Sequence, residues 1–147
     1  MRGLFVNQAT PIQTQFSRFF RRAMYKGASI LISEPSDVLA SELSAFVREK
    51  NFHAISARTM KETLLFLQKQ RAHLLILDSS LVEEDCGLIS IIKGIDEELP
   101  IIICADRNTP EFESDARHQG IFYYHIKSFG IQDLEMAVSN ALQKRST

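Results

Sequence analysis

Tryptophan is absent from these 147 residues, and cysteine occurs only at Cys86 and Cys104. Two cysteines cannot build a disulfide framework, and without a CxxC pair or an HxxxH spacing no structural zinc site is expected. No apolar run approaches the roughly 18 residues of a membrane-spanning helix, and no secretory signal pattern opens the chain, so the expected location is the cytoplasm. Acid is missing from the whole first stretch: all 18 Asp and Glu residues lie at or after Glu34. Arg2, Arg18, Arg21, Arg22 and Lys26 put +5 on residues 1–26 and leave −6 on 27–147, in a chain whose net charge is only −1. That split predicts two functional parts, a basic arm over 1–26 and a domain over 27–147.

What is present is an ordinary globular composition, 45% hydrophobic and 24% charged, in a length that suits one domain with a sizeable core. Residues 1–9 show no periodicity. Thr10-Pro11 then reads as an N-cap with proline at the first helical position. Ile12, Phe16, Phe19, Phe20 and Ala23 recur at helical spacing with Arg18, Arg21 and Arg22 turned elsewhere, so an amphipathic helix is expected to about Tyr25, ended by Gly27. Such a basic, acid-free helix suits docking on a partner or a second copy, contact with an anionic membrane surface, organelle targeting, or packing on its own domain.

From Ala28 strand and helix signals alternate. Strands are expected over 28–33, 52–56, 73–78, 100–105 and 121–126, and helices over 35–50, 60–70, 87–95, 110–119 and 131–142. The inward faces expected of these helices include Val38, Leu39, Leu43, Phe46 and Val47 in the first and Leu64, Leu65 and Leu67 in the second. Five strands alternating with five helices predict a flavodoxin-like α/β fold: a doubly wound five-stranded parallel sheet of order 2-1-3-4-5, here with an N-terminal amphipathic helix extension. The third strand, His73–Asp78, is largely apolar and ends on a carboxylate. Ligands bind at the carboxyl ends of strands in such sheets, which makes Asp78 a site candidate; capping of the segment 79–87 is the plain structural alternative. Ser33 and Glu34, at the end of strand 1, are expected to face it across a crevice. No Gly-rich phosphate loop follows strand 1, and no nucleophile–base pair marks an independent enzyme. His53, His73, His118 and His125 have no mutual spacing of a ligand set.

The run Gly120-Ile121-Phe122-Tyr123-Tyr124-His125-Ile126-Lys127-Ser128-Phe129 matches the receiver block G-A-x-x-Y-x-x-K-P-F at its glycine, tyrosine, lysine and phenylalanine. With Asp78 at the end of strand 3, residues 28–144 resemble a response-regulator receiver domain of two-component signalling. The resemblance implies a phosphorelay step in which a histidine kinase or phosphotransfer protein supplies a phosphoryl group to Asp78. It implies Lys127 as the partner of that carboxylate, a Mg²⁺ ion held by Glu34, Asp78 and the backbone carbonyl of Ser80, and residues 105 and 124 as the switch pair.

Four positions depart from the receiver pattern. Ser33 replaces an acidic metal ligand, which predicts a weak Mg²⁺ site. Ala105 replaces a Ser or Thr hydroxyl, so Tyr124 loses the partner that draws it inward. Ser128 replaces a proline. The segment 79–87 is one residue longer than usual, with Val82 at a proline position and an acidic run at Glu83, Glu84 and Asp85, read as a solvated loop ahead of a compensating metal site. The expected function is that of an atypical receiver acting by protein–protein contact and phosphorylated on Asp78, with a phosphorylation-independent docking or dimerisation module as the alternative. Expected partners are a histidine kinase or phosphotransfer protein, a downstream protein, and a second copy through the N-terminal helix. Membrane contact by the arm ranks behind these, and no direct nucleic-acid partner is expected.

Overall fold

The computed structural model describes residues 27–146, so the arm and its expected helix lie outside the described residues. Short β-branched and leucine-rich runs form five strands: β1 Ser29–Ser33, β2 His53–Ala57, β3 Leu74–Asp78, β4 Ile101–Ala105 and β5 Tyr123–Ile126. Each is followed by a helix: α1 Val38–Glu49, α2 Met60–Lys69, α3 Leu88–Ile95, α4 Pro110–His118 and α5 Ile131–Ser146. All four pairings are parallel, and the sheet order is β2-β1-β3-β4-β5, as expected.

Every residue of β3 and β4 is buried, because helices cover both faces of the central strands. Alternate side chains divide between two cores. Ile30, Ile32, Leu74 and Ile76 meet Leu39 and Leu43 of α1 and Leu134 and Val138 of α5 on one face. Leu31, Leu75, Leu77, Ile101 and Ile103 meet Leu67 of α2 and Ile89 and Ile92 of α3 on the other. Each fully buried Leu or Ile contributes roughly 1.5–3 kcal/mol, and the two layers leave only the sheet ends for polar groups.

The helix expected from Pro35 begins three residues later, at Val38, because residues 34–37 form a turn held by side chains. Val38 is 55% exposed and Leu65 is 45% exposed, so neither faces inward as their spacing suggested. β5 begins at Tyr123, since Gly120 takes φ +94° to bring the chain out of α4. α5 extends past Leu142 to Ser146.

Candidate functional site

The order reversal between β1 and β3 sets the ends of those two strands side by side, with β4 next to β3 and β5 beyond it. Asp78, Ala105 and Lys127 therefore converge at one end of the sheet.

Asp78 is only 7% exposed, and both its oxygens have partners. Oδ1 lies 2.5 Å from Lys127 Nζ. Oδ2 accepts from the Ser80 N–H at 3.2 Å and from the Ser80 hydroxyl. Asp78 thus caps the 3₁₀ turn Ser79–Leu81 and also pairs with the lysine; the two readings of this residue are not exclusive. Lys127 also reaches Asp106 Oδ1 at 3.3 Å. Burial pulls the Lys127 ammonium down, but the hydrogen bond and charge of Asp78, with those of Asp106, outweigh it and hold the lysine above its ordinary value.

Ser33 is fully buried, its hydroxyl 2.6 Å from that of Thr63 on α2. Glu34 is also buried, and its carboxylate accepts the N–H groups of Leu39 and Ala40, each at 2.9 Å. These are orphan donors of the first turn of α1, so Glu34 acts as a helix cap from four residues upstream. In the acidic loop Glu83 accepts from the Ser79 hydroxyl and Asp85 from the Gly87 N–H. Among the described residues no group of three or more His, Cys, Asp or Glu side chains is disposed to hold an ion. The magnesium implied by the resemblance does not fit these donors as they stand: Glu34 is held by α1, Asp78 by Lys127 and Ser80, and Ser33 by Thr63.

Ala105 is buried, and Tyr124 is turned inward at 6% exposure despite the missing hydroxyl. It packs on Phe112 of α4 with ring centroids 6.1 Å apart at 59°. Burial raises its phenol, Glu113 and Glu83 add to the rise, and a hydrogen bond with the Thr109 backbone opposes them. A cavity of about 570 Å³ opens beside it, lined by Glu83, Ala105, Asp106, Arg107, Thr109, Phe112 and Tyr124. The bond after Lys127 is trans, and residues 127–129 form a 3₁₀ turn.

Two groups escaped the sequence reading. Asp106 directly follows strand 4, and an acid one residue past a strand that borders β3 was the available signal. Buried His125 sets Nδ1 2.9 Å from Asp133, which also accepts the Tyr123 hydroxyl. Eight residues separate His125 from its partner across a turn, and no motif marks that pairing.

This chain has the CheY-like fold of response-regulator receiver domains. A receiver domain from Methanospirillum hungatei superposes with a TM-score of 0.72 at 16% identity, over 81% of this chain and 96% of that one. A two-component response regulator from Clostridium difficile gives 0.73 at 21%, over 82% and 99%. An orphan response regulator of H. pylori gives 0.69 at 21%, over 78% and 96%. No protein-family model matches the chain, and no curated protein matches it in sequence. The likeness is therefore one of fold.

Proposed function

We propose that this chain is an atypical receiver module of two-component signalling that works by protein–protein contact and is not an enzyme in its own right. Its contact face is set independently of Asp78. The observation that carries this reading is Tyr124, packed inward on Phe112 beside an alanine that offers no hydroxyl to a phosphoryl oxygen. A modification at Asp78 would move Lys127, whose ammonium bridges Asp78 and Asp106, but it has no polar group at residue 105 through which to move Tyr124. A histidine kinase or phosphotransfer protein remains the donor that Asp78 and Lys127 suit.

Asp78→Asn, compared with the parent by amide spectra of the whole chain, tests this without a metal. Shifts confined to the neighbourhood of Asp78 and Lys127 are expected. Shifts that reach Phe112 and Tyr124 would overturn it.

The phosphorylation-independent reading has its own observation, the engagement of Glu34 by α1. It predicts that Mg²⁺ alone leaves the Asp78 and Ser80 amides unmoved, and that Ser33→Asp does not create a site because Glu34 stays on the helix. Millimolar binding by the unaltered chain would remove this second reading and leave the first.

A further inference from the structure

We propose that the cavity beside Tyr124 is the docking site for the basic arm of a second copy of this chain. This deepens the protein-contact reading, and its test involves neither magnesium nor Asp78, so the two can fail separately.

The cavity joins an apolar floor to a charged rim. Ala105, Phe112 and Tyr124 form the floor, and Glu83, Asp106 and Arg107 stand around it. Residue 105 carries no hydroxyl, so it adds only apolar surface to the floor. Glu84 and Asp85 follow Glu83 in the same loop and are exposed. Asp106 already faces Lys127 and Arg107 adds a positive charge, so the carboxylates left for an occupant are those of Glu83, Glu84 and Asp85. These call for positive charge, while the floor calls for aromatic surface. Phe19-Phe20-Arg21-Arg22, with Phe16 and Arg18 one turn earlier in the expected helix, has that composition, and it lies in the part of the chain that holds no acid.

Geometry selects a second copy over the chain's own arm. The arm joins β1 at its amino end, whereas the cavity lies at the carboxyl end of β4, two strands across. Five residues of parallel strand rise about 16 Å, and two strand spacings add about 10 Å sideways. In the expected helix Phe19 stands only about 12 Å from Gly27 at 1.5 Å per residue. An arm of that helical form would fall short of the cavity of its own domain, so the occupant proposed is the arm of a neighbour. Two copies that exchange arms close a two-fold dimer.

The test is sedimentation of the full chain, of Arg21→Glu with Arg22→Glu, of Glu83→Arg with Glu84→Arg, and of an equimolar mixture of the two variants. The full chain should associate, and each doubly substituted variant alone should associate at least about tenfold more weakly, since like charges then face each other. The mixture should regain association, because an acidic arm meets a basic rim only across molecules. A full chain that stays monomeric at every concentration overturns the proposal, as does association that survives reversal at Glu83 and Glu84. Binding to phosphatidylglycerol vesicles that needs the arginines, without self-association, overturns it in favour of a membrane. Should the rim variant fail to fold by circular dichroism, Phe19→Ala with Phe20→Ala, outside the domain, must weaken association on its own; unchanged association then rejects the proposal.

Discussion

A carboxylate that follows a strand and precedes a helix can serve an ion or the helix, and spacing does not distinguish the two. Glu34 could be located from sequence, at the end of the strand next to the one that carries Asp78. Its role became visible only with the Leu39 and Ala40 N–H groups at 2.9 Å. Truncating it should leave those donors unpaired and remove a negative charge from the positive end of α1. Glu34→Ala is therefore expected to lower stability by about 1–2 kcal/mol, with Glu34→Gln between the alanine variant and the parent because its single amide oxygen can accept only one of the two N–H groups. Urea midpoints measure this, and an unchanged midpoint for the alanine variant would rule out the cap. Lys127 provides the second prediction. Its value is raised in the folded state, so the stabilisation it contributes is complete below the ordinary lysine value of 10.5 and is lost as pH climbs through the higher folded value. Stability should fall on the alkaline side of that point, and Lys127→Met should flatten this part of the profile. Asp78 could be located from sequence as the carboxylate that ends an apolar strand, and Lys127 through its match to the lysine of the receiver block. Asp106 could not, because a lone acid after a strand is common and its contact with Lys127 depends on the β4–β5 register.

Helices show where periodicity succeeds and where it stops. The core positions of α5, namely Leu134, Ala137, Val138 and Leu142, are all buried as their spacing demands. The apolar stripe of α1 holds at Leu39, Leu43 and Phe46, yet Val38 is 55% exposed. Apolar spacing cannot tell that the turn at 34–37, with Arg58 bonded to Asp37 at 2.9 Å, delays the helix and leaves its first residue over solvent. Leu39→Ala should cost about 2–5 kcal/mol, the range for opening a cavity in a packed core. Val38→Lys should stay within about 0.5 kcal/mol of the parent, as surface changes do. Similar losses for the two in thermal or urea unfolding would mean that α1 starts earlier and turns Val38 inward.

Strand order was readable from the sequence because five alternating units admit few topologies once crossovers are right-handed, and the order in turn placed the site. The distribution of stability across the sheet follows from the same topology. β4 is flanked by β3 and β5 and covered on both faces, so Cys104 lies at 0% exposure in the middle of the most protected region. Burial pushes its thiol well up, with the Lys127 charge opposing and Asp78 adding to the rise. Cys86 lies in the loop before α3, partly exposed, and is raised by burial, then by Asp115 and Asp85. A thiolate must form and be reached before either sulfur reacts, so the two cysteines report on different openings of one molecule. Cys86 should label first, at a rate that barely changes with low urea, because local loop motion exposes little new surface. Cys104 should label only through global unfolding, with a urea dependence that matches the equilibrium slope. Labelling rates resolved by peptide mass spectrometry on the whole chain measure both. A shallow urea dependence at Cys104 would show that β4 and β5 separate from the sheet as a local unit, and that the end of the sheet carrying Lys127 and Tyr124 opens without unfolding the rest.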